Sequence, residues 1–164
     1  MLIRDAQAGD WAAIWPFFRE ITEAGETYVY PRDLSFEQGR EWWMESPPAR
    51  TVVAVDEDGK VLGSAKMGPN RPGPGSHVAT GSFMVAAEHG GRGVGRALGE
   101  ELVSWARSAG YRGIQFNAVV QSNTRAVALW RSLGFTVVGT VPEAFRRPDG
   151  SYTGLHIMYL PLHG

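Results

Sequence analysis

Residues 83–97 read Phe-Met-Val-Ala-Ala-Glu-His-Gly-Gly-Arg-Gly-Val-Gly-Arg-Ala: an apolar strand, a glycine-crowded turn, then a helix without a break. Gly90, Gly91, Gly93 and Gly95 fall within six positions, with Arg92 among them and Arg96 next. A backbone without Cβ atoms bends sharply and approaches a ligand closely. The first amides of the following helix have no intrahelical acceptor, and they and the helix dipole favour an anion. The chemistry predicted here is phosphate binding. No Gly-Lys-Ser/Thr follows the turn, which removes a P-loop for nucleoside triphosphates.

Other reactive side chains are dispersed. The irregular segment Glu26-Thr27-Tyr28-Val29-Tyr30-Pro31 combines a carboxylate with hydroxyls, and such segments often line sites. His89 and His156 are further candidates, although a histidine at a strand end more often serves packing. The absence of cysteine excludes disulfides, thiolate metal ligands and a cysteine nucleophile, and fits a reducing compartment. A net charge of -1 gives no reason to expect a nucleic acid or a membrane surface as partner. Met1-Leu2-Ile3-Arg4-Asp5 lacks the apolar run of a signal peptide, and no run is long enough to span a bilayer, so a cytoplasmic protein is expected. With 164 residues, 43% of them apolar, the chain suits one domain over 1–164.

These residues need a scaffold. Residues 2–5 read as a first strand. Asp10 is a good N-cap for a helix whose apolar positions are Ile14, Phe17, Phe18 and Ile21, fading near Ala24-Gly25. Ser35 and Gln38 form a capping box for a second helix, which ends in Trp42, Trp43 and Met44 before Pro47-Pro48. Residues 51–55 and 61–67 form a hairpin about Asp58-Gly59. Residues 69–74, rich in proline and glycine, read as a mobile loop. A strand over 77–87 then feeds the glycine turn. The helix after it places Val94, Leu98, Leu102, Trp105 and Ala109 on one face and ends at Gly110. Strand 114–120 leads to a helix capped by Ser122 or Asn123 and lined by Ala126, Leu129, Trp130 and Leu133. Strands 135–141 and 152–160 follow, with a turn at Pro148-Asp149-Gly150. This order predicts an α/β (α+β) fold: a mixed, mostly antiparallel sheet of about seven strands with helices on both faces.

The turn at 90–95, followed about thirty residues later by Asn123-Thr124-Arg125-Ala126-Val127-Ala128-Leu129-Trp130-Arg131-Ser132-Leu133-Gly134-Phe135, resembles the GCN5-related N-acetyltransferases, the GNAT family. The family turn is commonly Gln/Arg-x-x-Gly-x-Gly/Ala, and its later segment Asn-x-x-Ala-x-x-Leu-Tyr-x-x-x-Gly-Phe. Glu26-Thr27-Tyr28 is similar to the phosphinothricin-type small-amine branch. The resemblance implies an acyl-CoA N-acyltransferase fold, acetyl-CoA as cosubstrate, no metal, and a primary amine of a small molecule or peptide as acceptor. It implies that the CoA pyrophosphate sits on the amides of Gly90, Gly91, Arg92, Gly93, Val94, Gly95 and Arg96. The pantetheine arm then pairs with Val85 and Ala87, and the Val85 amide serves the oxyanion. Asn123 either bonds the pantetheine or is a plain N-cap. Arg92 and Arg96 either add charge at the phosphates or form a solvated helix surface.

For the general base Glu26 ranks first, Glu88 second, with His89 and His156 behind. The aromatics Tyr28, Tyr30, Trp42 and Trp43 suit a small, partly apolar amine, though core packing explains the tryptophans equally well. A homodimer is expected only by analogy with the fold. Two positions depart from the family. Gly90 stands where Gln or Arg is usual, which removes side-chain support from the turn. Trp130 stands where a tyrosine usually protonates the leaving thiolate, and an indole N–H is no useful acid. Tyr28, Tyr30, Tyr152 and Tyr159 remain as substitutes. The same departure motivates an alternative, a CoA-binding regulatory module without catalysis.

Overall fold

In the computed structural model, which describes residues 1–163, seven strands form one sheet in the order β1-β2-β3-β4-β5-β7-β6. They are β1 (Leu2–Asp5), β2 (Arg50–Val55), β3 (Val61–Pro69), β4 (Val78–Val85), β5 (Gly113–Val120), β6 (Thr136–Arg146) and β7 (Tyr152–Pro161). Every neighbouring pair is antiparallel except β4–β5, which is parallel and holds only at Val78↔Gly113 and Ala79↔Ile114.

Helices cover both faces, as the element order predicts. Strand side chains alternate between faces, and β2 displays this directly. Val53 and Val55 join Trp11, Ile14, Phe17 and Phe18 of α1 (Trp11–Ala24) and Trp43 of α2 (Phe36–Trp43). Val52 and Ala54 join Val94, Leu98, Leu102 and Ala106 of α3 (Val94–Ser108) and Trp130 of α4 (Thr124–Ser132). The Ser35–Gln38 capping box is present, with the Gln38 amide donating to Ser35 Oγ at 3.1 Å.

Several local expectations are corrected. Asp10 does not cap α1 with its side chain. Its carboxylate is taken by Arg4 at 2.8 and 3.0 Å and by the Gln7 amide at 2.7 Å, in a 3-10 turn over Ala8–Asp10. Ala109 is exposed, and Ala106 takes its place in the core because the buried face follows Val94, Leu98, Leu102. The hairpin closes with three loop residues, Glu57-Asp58-Gly59, between Asp56 and Lys60, not with two. The segment read as a mobile loop carries a 3-10 turn over Gly73–Gly75, and Asn70 and Asn117 exchange amide hydrogen bonds at 2.6 and 3.2 Å.

The correction that bears on the site concerns residues 77–87. The strand ends at Val85, and Ala87–His89 forms a 3-10 turn in which the Gly90 amide bonds the Ala87 carbonyl at 3.1 Å. Ala87 is therefore not a strand residue, and its carbonyl is already taken. Four residues then precede Val94, so strand and helix are not continuous.

Candidate active site

Beyond Ala79 the strands β4 and β5 separate. In a strand the polar groups of successive residues face opposite neighbours. The Ala86 amide bonds Leu62 of β3 at 3.1 Å, and the Phe83 amide and carbonyl both meet the Tyr28 hydroxyl on the opposite side. Val85, in phase with Phe83, therefore turns its N–H and C=O into the opening. On the far wall, β5 breaks its register with β7 between Phe116 and Val119. Asn117 and Ala118 fall in that break and line the opening.

The opening is a cavity of about 430 Å³. One end is lined by Val85, Gly95, Asn123, Ala126 and Leu129, beside the glycine turn. The other is lined by Ile21, Thr27, Tyr28, Tyr30, Gly81 and Ser82. Phe116 and Trp130 stand between, with ring centroids 4.8 Å apart and Trp130 4.6 Å from Phe83.

At the turn, Gly91 and Gly93 adopt φ of 77° and 80°, and a Cβ on either would meet no atom within 4 Å. The residues are glycine for their backbone conformation, and the space beside them is open. Ala97 is bonded to the Gly93 carbonyl at 3.0 Å, and Gly93 provides no side-chain cap. The amides of Val94, Gly95 and Arg96 are left as the unpaired first donors of α3.

The arginines behave differently. Arg92 donates to His89 Nδ1 at 2.9 Å. A guanidinium only donates, so Nδ1 is the acceptor in this pair. Arg96 reaches Ser132 at 2.9 Å and Glu100 at 3.1 Å, tying α3 to α4. Asn123 caps α4, its Oδ1 accepting from the Ala126 amide at 3.3 Å, and it also lines the cavity.

The proton-handling candidates are spread out. Glu26 is exposed and lies beside Thr27 and Tyr28 without itself lining the cavity. Glu88 is exposed and 3.3 Å from Lys60. His89 is buried, and His156 on β7 bonds Thr140 at 2.7 Å. Neither histidine lines the cavity. Trp130 is 7% exposed, packed on Phe83, Phe116 and Phe135. Trp43 is core, its indole N–H bonded to Ser64 at 2.9 Å, and Trp42 packs on Tyr30 outside the cavity. Burial pushes the Tyr28 phenol above its ordinary pKa, with Tyr30 adding to the shift, so Tyr28 stays protonated. Tyr152 and Tyr159 do not line the cavity.

Sequence reading missed Phe116, Asn117, Gly81 and Ser82, and the tie between Tyr28 and Phe83. The strand separation that exposes them is a tertiary event with no local motif.

A mixed sheet whose one parallel pair opens after two residue pairs, with an uncapped helix N-terminus at the end of the opening, defines an acyl-CoA N-acyltransferase type of fold. The chain belongs to the acetyltransferase (GNAT) family, whose model matches residues 15–135. It is similar to a GCN5-related N-acetyltransferase from Kribbella flavida, at 62% identity and a TM-score of 0.94 over 98% of this chain and 96% of that one. It is also similar to a GNAT superfamily phosphinothricin acetyltransferase from Sinorhizobium meliloti in complex with AcCoA, at 26% identity and a TM-score of 0.87 over 98% and 87%. N-acetyltransferase aca1 of Schizosaccharomyces pombe is 34% identical over 104 residues, 62% of this chain; the chain spans 50% of the length of that relative.

Proposed function

We propose that this protein transfers the acetyl group of acetyl-CoA directly to a primary amine of a small molecule. The observation that carries the reading is the opening between β4 and β5, where Val85 presents an unpaired polar edge that leads to the free amides at the start of α3. The pyrophosphate of CoA lies on the turn from Gly90 to Arg96, and an amide of the pantetheine arm donates to the Val85 carbonyl, which leaves the Val85 N–H free. Asn123 borders the arm. Arg92 stands beside the phosphates, whereas the bonding of Arg96 to Ser132 and Glu100 supports a role in holding the helices.

The acceptor enters at the Thr27, Tyr30 and Ser82 end, and the acetyl-CoA complex of the phosphinothricin acetyltransferase supports a small amine there. The amine must lose a proton before it attacks. Glu26, exposed next to the cavity wall, receives it through water. The Val85 amide stabilises the oxyanion; its collapse breaks the C–S bond and expels CoA thiolate, and the nitrogen gives up its second proton to solvent to leave the amide. With Trp130 in the tyrosine position, the thiolate takes its proton from solvent. Acetyl-CoA as cosubstrate and the lack of cysteine support a cytoplasmic location.

The burial of Trp130 among three aromatic rings favours one second reading, a CoA-binding module that no longer catalyses. An acceptor screen with mass detection separates them. A product heavier than its amine by one acetyl group supports transfer; CoA binding with no product from any amine supports the module.

A further inference from the structure

Tyr28 stands across the route that the donor would follow, bonded to the backbone of Phe83. Strand β4 turns its polar groups into the opening at alternate residues. Val85 is the first of these from the turn, and Phe83 is the next, about 7 Å further along the strand. At Val85 the edge is free. At Phe83 it is closed: the Tyr28 hydroxyl accepts from the Phe83 amide at 2.8 Å and donates to the Phe83 carbonyl. The phenol ring is braced from behind, because Tyr28 packs on Tyr30 at 5.3 Å, and Tyr30 on Trp42 at 5.0 Å and Phe18 at 6.1 Å. Opposite it, Phe83, Phe116 and Trp130 form a packed wall.

We propose that Tyr28 is a specificity-determining residue that ends the donor track at Phe83 and so confines the enzyme to short acyl groups. This rests on the donor lying along Val85. A thioester carried past Val85 meets the tyrosine one strand step later. An acetyl group has a single methyl beyond its carbonyl and stops short of the phenol. A butyryl or hexanoyl chain would run into a ring that cannot swing aside without unpairing both polar groups of Phe83.

The test is calorimetric titration of the protein with CoA, acetyl-CoA, butyryl-CoA and hexanoyl-CoA, which needs no acceptor. Wild type is expected to bind acetyl-CoA at least about tenfold more tightly than hexanoyl-CoA. Tyr28→Ala is expected to close that ratio to within about threefold. Wild-type binding of hexanoyl-CoA as tight as that of acetyl-CoA would overturn the proposal whether or not the variant folds. So would a folded Tyr28→Ala protein with the wild-type ratio. Failure of CoA itself to bind is a different result: it would overturn the placement of the donor along Val85, and the stop with it.

Discussion

The Tyr28 hydroxyl accepts a hydrogen bond from the Phe83 amide at 2.8 Å and returns one to the carbonyl of the same residue, 55 positions away in sequence. It replaces, at one point, the strand pairing that β4 loses when it parts from β5. Tyr28→Phe leaves the half-buried Phe83 amide without its partner and is expected to cost about 1 kcal/mol in urea unfolding. The folded-state pKa of the phenol is raised by burial. The advantage of tyrosine over phenylalanine is therefore complete below the ordinary phenol pKa of about 10 and declines as pH rises through the folded value. A Tyr28→Phe protein as stable as wild type at pH 7 contradicts this.

Gly93→Val tests the cradle. A Cβ at this position meets no neighbouring atom within 4 Å, but a φ of 80° strains the valine, at a cost of about 1–3 kcal/mol. The protein still folds. Its affinity for CoA, measured by calorimetry, is expected to fall by at least about tenfold. An unchanged affinity removes the turn from the phosphate site.

Trp130 fills space and donates no proton. Trp130→Ala should lose about 3–5 kcal/mol of stability through the cavity it leaves. Trp130→Phe should keep turnover within a small factor, whereas removal of a true general acid costs about two to four orders of magnitude. A loss of that size in a folded Trp130→Phe enzyme would reinstate the indole as a participant.

Glu26→Gln is expected to lower turnover by about two to four orders of magnitude and to change its pH profile, with acetyl-CoA affinity retained. An unaltered profile removes Glu26 as the proton acceptor.

Asp10 governs acid stability at the start of α1. Its carboxyl is held below the usual range, first by the hydrogen bonds from Arg4 and further by the Gln7 amide. A depressed carboxyl contributes stability that is present above its unfolded pKa of about 3.9 and lost as pH falls through the folded value. Unfolding of wild type and Asp10→Asn should differ at pH 6 and converge near pH 2. A difference independent of pH would show that the Arg4 pair is not its source.

What sequence could carry was local. Ser35 and Gln38 are three residues apart, and their capping box is found as read. Gly91 and Gly93 are neighbours in a motif, and their backbone is left-handed as such a turn needs. The early end of β4 was not legible, because the 3-10 turn at Ala87–His89 follows the same small and apolar run as the strand. Asp10 has the residue type of a cap, but Arg4, six positions away, outcompetes the helix for its carboxylate. The acceptor end of the cavity was only partly visible. Tyr28 and Tyr30 stood out as aromatics in an irregular segment, while Asn117 became a site residue through a register break that no single strand encodes.

The proposed transfer requires CoA in the opening, with its phosphates on the first amides of α3 and its arm along Val85. Residue-resolved amide hydrogen exchange with and without acetyl-CoA tests this most directly. The predicted result is slowed exchange at Val85, Val94, Gly95 and Arg96, with the already paired Ala86 amide little changed. Acetyl-CoA binding that leaves Val85 and the three helix amides exchanging at their free rates would contradict it.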